Sequence, residues 1–134
     1  MMTILIIDDD PTMRELWVTR LNAILPCEII SAEDGAKALE IAKIVTPNLI
    51  ISDFSMSTMS GFEFWKALRT ELQNQSSYFI LNTSHVSSNG SIVEYNSKID
   101  MIKTDTRAWV VGKDIPSRKR IEAMLAVVNS RNHH

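Results

Sequence analysis

Five short, nearly unbroken apolar runs divide this chain: TILII at 3–7, CEIIS at 27–31, NLIIS at 48–52, YFILN at 78–82 and AWVVG at 108–112. Runs of this length, rich in Ile and Val and lacking polar alternation, predict strands buried on both faces, as in a parallel sheet. Parallel neighbours need crossover connections, and the gaps carry helical spacing. Met13, Leu16, Trp17, Leu21, Ile24 and Leu25 form one stripe, and Ala38, Leu39, Ala42 and Val45 a second. Phe64, Trp65, Leu68 and Leu72 form a third, and Ile121, Met124, Leu125 and Val128 another. Between the last two, SSNGS at 87–91 reads as a loop, followed by a weaker helical stripe of Ile92, Tyr95, Ile99 and Ile102. Five strands alternating with five helices predict an α/β fold with right-handed crossovers and helices on both faces.

At 134 residues and 45% hydrophobic content, the chain is expected to form one domain over residues 1–134. A formal charge of −2 argues against nucleic acid or an anionic membrane as the main partner. The basic cluster Arg118, Lys119, Arg120 reads as a solvated helix face. Cys27 stands alone, no run approaches the ~20 apolar residues of a membrane span, and no leader pattern precedes Asp8. The expected location is therefore cytoplasmic.

In an α/β sheet, functional groups gather where strands end. Asp8, Asp9 and Asp10 follow the first run, Asp53 the third, Thr83 the fourth and Lys113 the fifth. Helix capping accounts for Asp10, with Pro11 at the first helical position. One cap needs one acid, so Asp8 and Asp9 need another reason to sit together against their repulsion. Carboxylates from two strand ends meeting at a point suit a hard divalent cation such as Mg2+.

With these residues in hand, ILIIDDDP, SAEDGAKALEIA, NLIISDFSMSTMSGFEF, the strand ending in Thr83-Ser84 and AWVVGK together resemble the receiver domain of bacterial two-component response regulators. The resemblance runs from Thr3 to the last helix. It implies a flavodoxin-like, doubly wound sheet of order 2-1-3-4-5 and a phosphorylation switch. Asp53 matches the phosphoacceptor. Asp8 and Asp9 match the acidic pair that holds Mg2+ together with Asp53 and the backbone carbonyl of Ser55. Thr83 and Lys113 would donate to phosphoryl oxygens, and Trp109 matches the aromatic that answers the threonine, although a plain core or rim aromatic is the alternative. The implied donor is a histidine kinase or phosphotransfer protein, and the implied output an effector protein that the sequence does not name. A homodimer through the fourth helix is a further expectation.

The pattern departs from the family in three places. Ser57 stands where receivers usually carry proline. Gly112 takes the usual place of the lysine, leaving Lys113 one residue late and followed by Asp114 rather than proline, so the Lys113–Asp114 bond is expected to be trans. Twenty-six residues separate Thr83 from Trp109, more than the family spends there, and this points to a changed partner surface. His85 and Ser55 occupy positions that tune acyl-phosphate lifetime in the family.

The leading expectation is a receiver that stands alone or was excised from a longer protein, and that is not itself an enzyme. The alternative is a pseudo-receiver serving as an unphosphorylated scaffold. A phosphatase-like hydrolase would want a second acid just behind Asp53, and Phe54, Ser55, Met56 and Ser57 offer none. A flavin-binding module on the same fold is disfavoured, because phosphate-cradling loops are not acidic.

Overall fold

The computed structural model describes residues 1–83, 92–112 and 115–131, with the backbone alone at 92–95 and 131. The loop read at 87–91, His85, Lys113 and the Lys113–Asp114 bond lie outside the described residues.

Five strands and five helices alternate along the chain: β1 Met2–Ile7, α1 Pro11–Asn22, β2 Cys27–Ala32, α2 Gly35–Ile44, β3 Leu49–Asp53, α3 Gly61–Thr70, β4 Tyr78–Thr83, α4 Ile92–Lys103, β5 Ala108–Gly112 and α5 Arg118–Arg131. The strands form one parallel sheet of order β2-β1-β3-β4-β5. The parallel α/β sheet is what the apolar runs predict, and its doubly wound, flavodoxin-like order is the one the family resemblance implies.

Burial on both faces holds for the centre of the sheet. Ile4 to Ile7, Leu49 to Ile51 and Phe79 to Leu81 are each at most 2% exposed. The edge strands β2 and β5 are only partly covered, because each has a single neighbour. Alternate side chains feed two cores. Leu5, Ile7, Ile50, Phe79 and Leu81 pack with buried residues of α2, α3 and α4. Ile4, Ile6, Leu49, Ile51 and Ile80 pack with Trp17 and Leu21 of α1 and with Ile121, Met124, Leu125 and Val128 of α5. Each fully buried Leu, Ile or Phe contributes about 1.5–3 kcal/mol, so truncating a central one such as Phe64 is among the costliest single changes available.

One stripe residue differs from its reading. Leu16 is 42% exposed, because the buried face of α1 runs through Trp17 and Leu21 at a spacing of four and leaves Leu16 about 100° away. Among the described residues, no helix is long and apolar enough to cross a membrane.

The helix starts are chemically marked. Asp10 caps α1 by accepting from the Thr12 amide at 2.9 Å, with Pro11 opening the helix. Asp34 caps α2 through the Lys37 amide at 2.9 Å. Ser60 and Glu63 form a reciprocal capping box at α3. Asp10 and Asp34 cap their helices within three residues of the preceding strand, which keeps those two loops short at the carboxyl edge.

Candidate functional site

The register of the central strands brings the acids together. Ile7 of β1 pairs with Ser52 of β3, so Asp8 and Asp53, each one residue further on, stand level across adjacent strands. Asp9 follows on the β1–α1 turn. One carboxylate oxygen from each of Asp8, Asp9 and Asp53 lies within 4.8 Å of the other two. Asp53 closes β3 rather than following it, and Thr83 likewise closes β4.

Asp8 is the most enclosed of the three acids, at 5% exposure. Its Oδ1 accepts from the Asp10 amide at 2.9 Å. The Arg14 guanidinium donates to the Asp8 backbone carbonyl at 2.6 Å and so tethers α1 to the end of β1. Burial raises the Asp8 pKa above the ordinary carboxylate value, and the charges of Asp9 and Asp10 add to this. The Asp10 amide and Arg14 only partly oppose the rise. The site thus holds charge at a cost that a cation would relieve.

The donor set fits a small hard divalent ion. Octahedral Mg2+ at about 2.1 Å from its ligands spans oxygens up to roughly 4.2 Å apart, close to the spread of these three carboxylates, with water able to complete the shell. Ser55, whose carbonyl was the expected fourth protein ligand, lies two residues beyond Asp53 in the exposed loop before α3.

Gly61 sets the distance between that loop and β3. A Cβ there would lie 2.3 Å from the Asp53 carbonyl oxygen and 2.8 Å from Leu81 Cδ1. Only glycine permits the start of α3 to approach so closely, and the Gly61 amide uses that approach to donate to the Phe54 carbonyl at 2.8 Å.

Thr83 is buried at the end of β4, in register with Gly112 of β5. Gly112 is exposed, and among the described residues nothing lies within 4 Å of where its Cβ would be. The family's lysine position therefore carries no side chain in this chain, while Lys113 lies outside the described residues.

Trp109 is out of step with Thr83 along the β4–β5 pairing. Trp109 pairs with Ile80, three residues back along β4, and packs on the α1–α5 side. Its ring stacks on Tyr78 with centroids 5.4 Å apart. Thr83 shares the pleat of Phe79 and Leu81 and faces the α2–α4 side. An odd offset of three positions along the pairing puts the two side chains on opposite faces.

Sequence reasoning missed Asn82. It pairs with Asp53 across β3 and β4, is 4% exposed, and its Oδ1 has no hydrogen-bond partner among the described residues. The signal was a lone amide closing an apolar run.

Comparison with known proteins supports the same assignment. The family described as the response regulator receiver domain matches residues 4–103, a span that contains the three acids and Thr83 and stops short of β5. A probable chemotaxis protein CheY from Rhizobium etli is 36% identical over 81 residues, covering 60% of this chain and 63% of that protein. A probable transcriptional regulator, ycf27, from Porphyridium aerugineum is 41% identical over 68 residues, 51% of this chain and 28% of that protein. The chain thus spans between about a quarter and two thirds of the length of these curated relatives. Among solved structures, chemotaxis protein CheY4 of Vibrio cholerae superimposes with a TM-score of 0.74 at 26% identity, covering 96% of this chain and 98% of that one. The acids, the sheet order and the matched span agree: this chain belongs to the response regulator receiver domain family.

Proposed function

We propose that this receiver domain, a signalling module of the two-component kind, is an active phosphoacceptor with Asp53 as the nucleophile. The observation that supports this reading most is the convergence of Asp8, Asp9 and Asp53 within 4.8 Å at the carboxyl edge of the sheet.

A carboxylate oxygen of Asp53 forms the new O–P bond as the bond from phosphorus to the donor breaks, and the donor group departs with that electron pair. The donor class is a phosphohistidine of a kinase or phosphotransfer protein, or a small acyl phosphate. Asp8 and Asp9, with Asp53 and the Ser55 carbonyl, would hold Mg2+, which spreads positive charge over the phosphoryl oxygens when bound. Thr83 donates its hydroxyl to one phosphoryl oxygen, and Lys113 is the candidate for another. A charge change at Asp53 then biases two arrangements of the β4–α4–β5 surface that an effector protein reads. Trp109, seated on Tyr78, senses that shift through the β4–β5 register rather than by filling space behind Thr83.

A second reading, the unphosphorylated scaffold, draws on one observation: Gly112 leaves the usual lysine position empty. Incubation with acetyl phosphate separates the two. Wild type with Mg2+ should gain the mass of one phosphoryl group, and Asp53→Ala or wild type in EDTA should gain none. A wild type that stays unmodified while a control receiver reacts would leave the scaffold as the better account.

A further inference from the structure

Asn82 sits beside the acids without a protein partner for its oxygen. On the same pleat as Asn82, Tyr78 and Ile80 join the core that also takes Leu49 and Ile51, which share the pleat of Asp53, and Ile4 and Ile6, which share that of Asp8. Asp8, Asp53 and Asn82 therefore point to one face, with Asp53 flanked by the acid on β1 and the amide on β4. The backbone carbonyl of Asn82 is already used, accepting from the Phe54 amide at 3.1 Å. The side-chain Oδ1 is not. A buried acceptor left unmatched destabilises the fold, and leucine, of nearly the same shape, would spare that cost at this position. Three neighbouring carboxylates cannot supply the missing donor when ionised. Water on a cation held by those carboxylates could, because metal coordination makes water a strong donor.

We propose that the Asn82 carboxamide positions the divalent cation at this site, its Oδ1 accepting a hydrogen bond from a water ligand of an ion held by Asp8, Asp9 and Asp53. The inference rests on the receiver reading of the acid cluster and adds a residue to it. Asn82 does not touch the phosphoryl group. It is a positioning residue, and its effect is on ion affinity.

The test is calorimetric titration of Mg2+ into the full chain, paired with thermal unfolding in EDTA. Asn82→Leu should weaken Mg2+ binding by about tenfold, the usual scale for losing an outer-shell partner, while its midpoint in EDTA stays level with wild type or rises. Asn82→Asp, which keeps an acceptor and adds charge, should bind Mg2+ at least as tightly as wild type. Should Asn82→Leu fail to fold, Asn82→Ala carries the same expectation for affinity. Equal Mg2+ affinity in wild type and the Leu or Ala variant overturns the inference, as does equal weakening in Asn82→Asp. A wild type that takes up no Mg2+ defeats the receiver reading as well. A wild type that binds normally alongside an unaffected variant defeats the role of Asn82 alone.

Discussion

The two edges of the sheet treat a shielded aspartate in opposite ways, Asp8 buried and Asp105 partly so. At the amino edge, Asp105 precedes β5 and is held from three sides. Its Oδ2 accepts from Trp65 Nε1 at 2.7 Å and from Arg69 Nε at 2.9 Å, and its Oδ1 accepts from the Arg107 amide at 2.8 Å. Burial alone would raise its pKa, but the bonds from Trp65, the Arg107 amide and Arg69 outweigh that and lower it. At the carboxyl edge, Asp8 is buried among like charges and its pKa is raised. The first arrangement ties α3 to the turn before β5 and stabilises the fold. The second spends stability to keep negative charge where a ligand can meet it.

The same contrast separates pocket from chemistry. A groove of about 740 Å³ opens at the amino edge, lined by Lys43, Glu71, Gln73 and Arg107 among others, far from the acids. Shape alone would direct attention there, whereas charge directs it to the other end of the strands.

The largest expected effect tests the stabilising side. Asp105→Ala leaves the Arg69 guanidinium buried with neither its carboxylate nor a partner for its already unmatched NH2, and should cost about 2–4 kcal/mol in urea unfolding. Phosphoryl uptake at Asp53 should survive in the fraction that remains folded. A loss below about 0.5 kcal/mol would show that the Trp65–Asp105–Arg69 cluster is incidental.

Asp8→Asn should act in the opposite direction and less strongly. In EDTA it should raise stability by roughly 0.5–2 kcal/mol, the scale of relieving one unfavourable charge at a functional site, and it should abolish any stabilisation by Mg2+. The pH dependence separates the two variants. The Asp8 pKa is raised in the fold, so its penalty is absent below the ordinary carboxylate value and is complete once pH has risen past the raised folded value. The Asp8→Asn gain therefore shrinks as pH falls from the raised value to the ordinary one and is gone below it. The Asp105 pKa is lowered, so its contribution is present above the ordinary carboxylate value and is lost as pH falls through the lowered one. The Asp105→Ala deficit should persist to more acidic pH than the Asp8→Asn gain. Coincident pH profiles would remove the contrast.

How much of this was legible in the sequence depends on how far apart the cooperating residues lie. The sheet was legible because each strand announces itself locally, by an apolar run that burial on two faces requires. Asp8 and Asp9 were legible because they adjoin such a run and exceed what a cap needs, and the register then set Asp8 level with Asp53. Trp109 shows the limit: its spacing from the strand end was readable, but the face it takes follows from counting the pleat against β4. The Asp105 cluster joins residues 36 and 40 positions apart, with no periodic pattern to pair them. Asn82 was hidden by its setting, since a single amide ending an apolar run reads as a strand boundary until its burial and its place beside Asp53 are known.

Both aspartates can be followed in one experiment, a carbon-13 NMR titration of the side-chain carboxyls with and without Mg2+. The account predicts that Asp8 titrates above the ordinary carboxylate range in EDTA and falls well below its EDTA value when Mg2+ is added, while Asp105 titrates low in both. An Asp8 that titrates normally in EDTA and does not move with Mg2+ would contradict it.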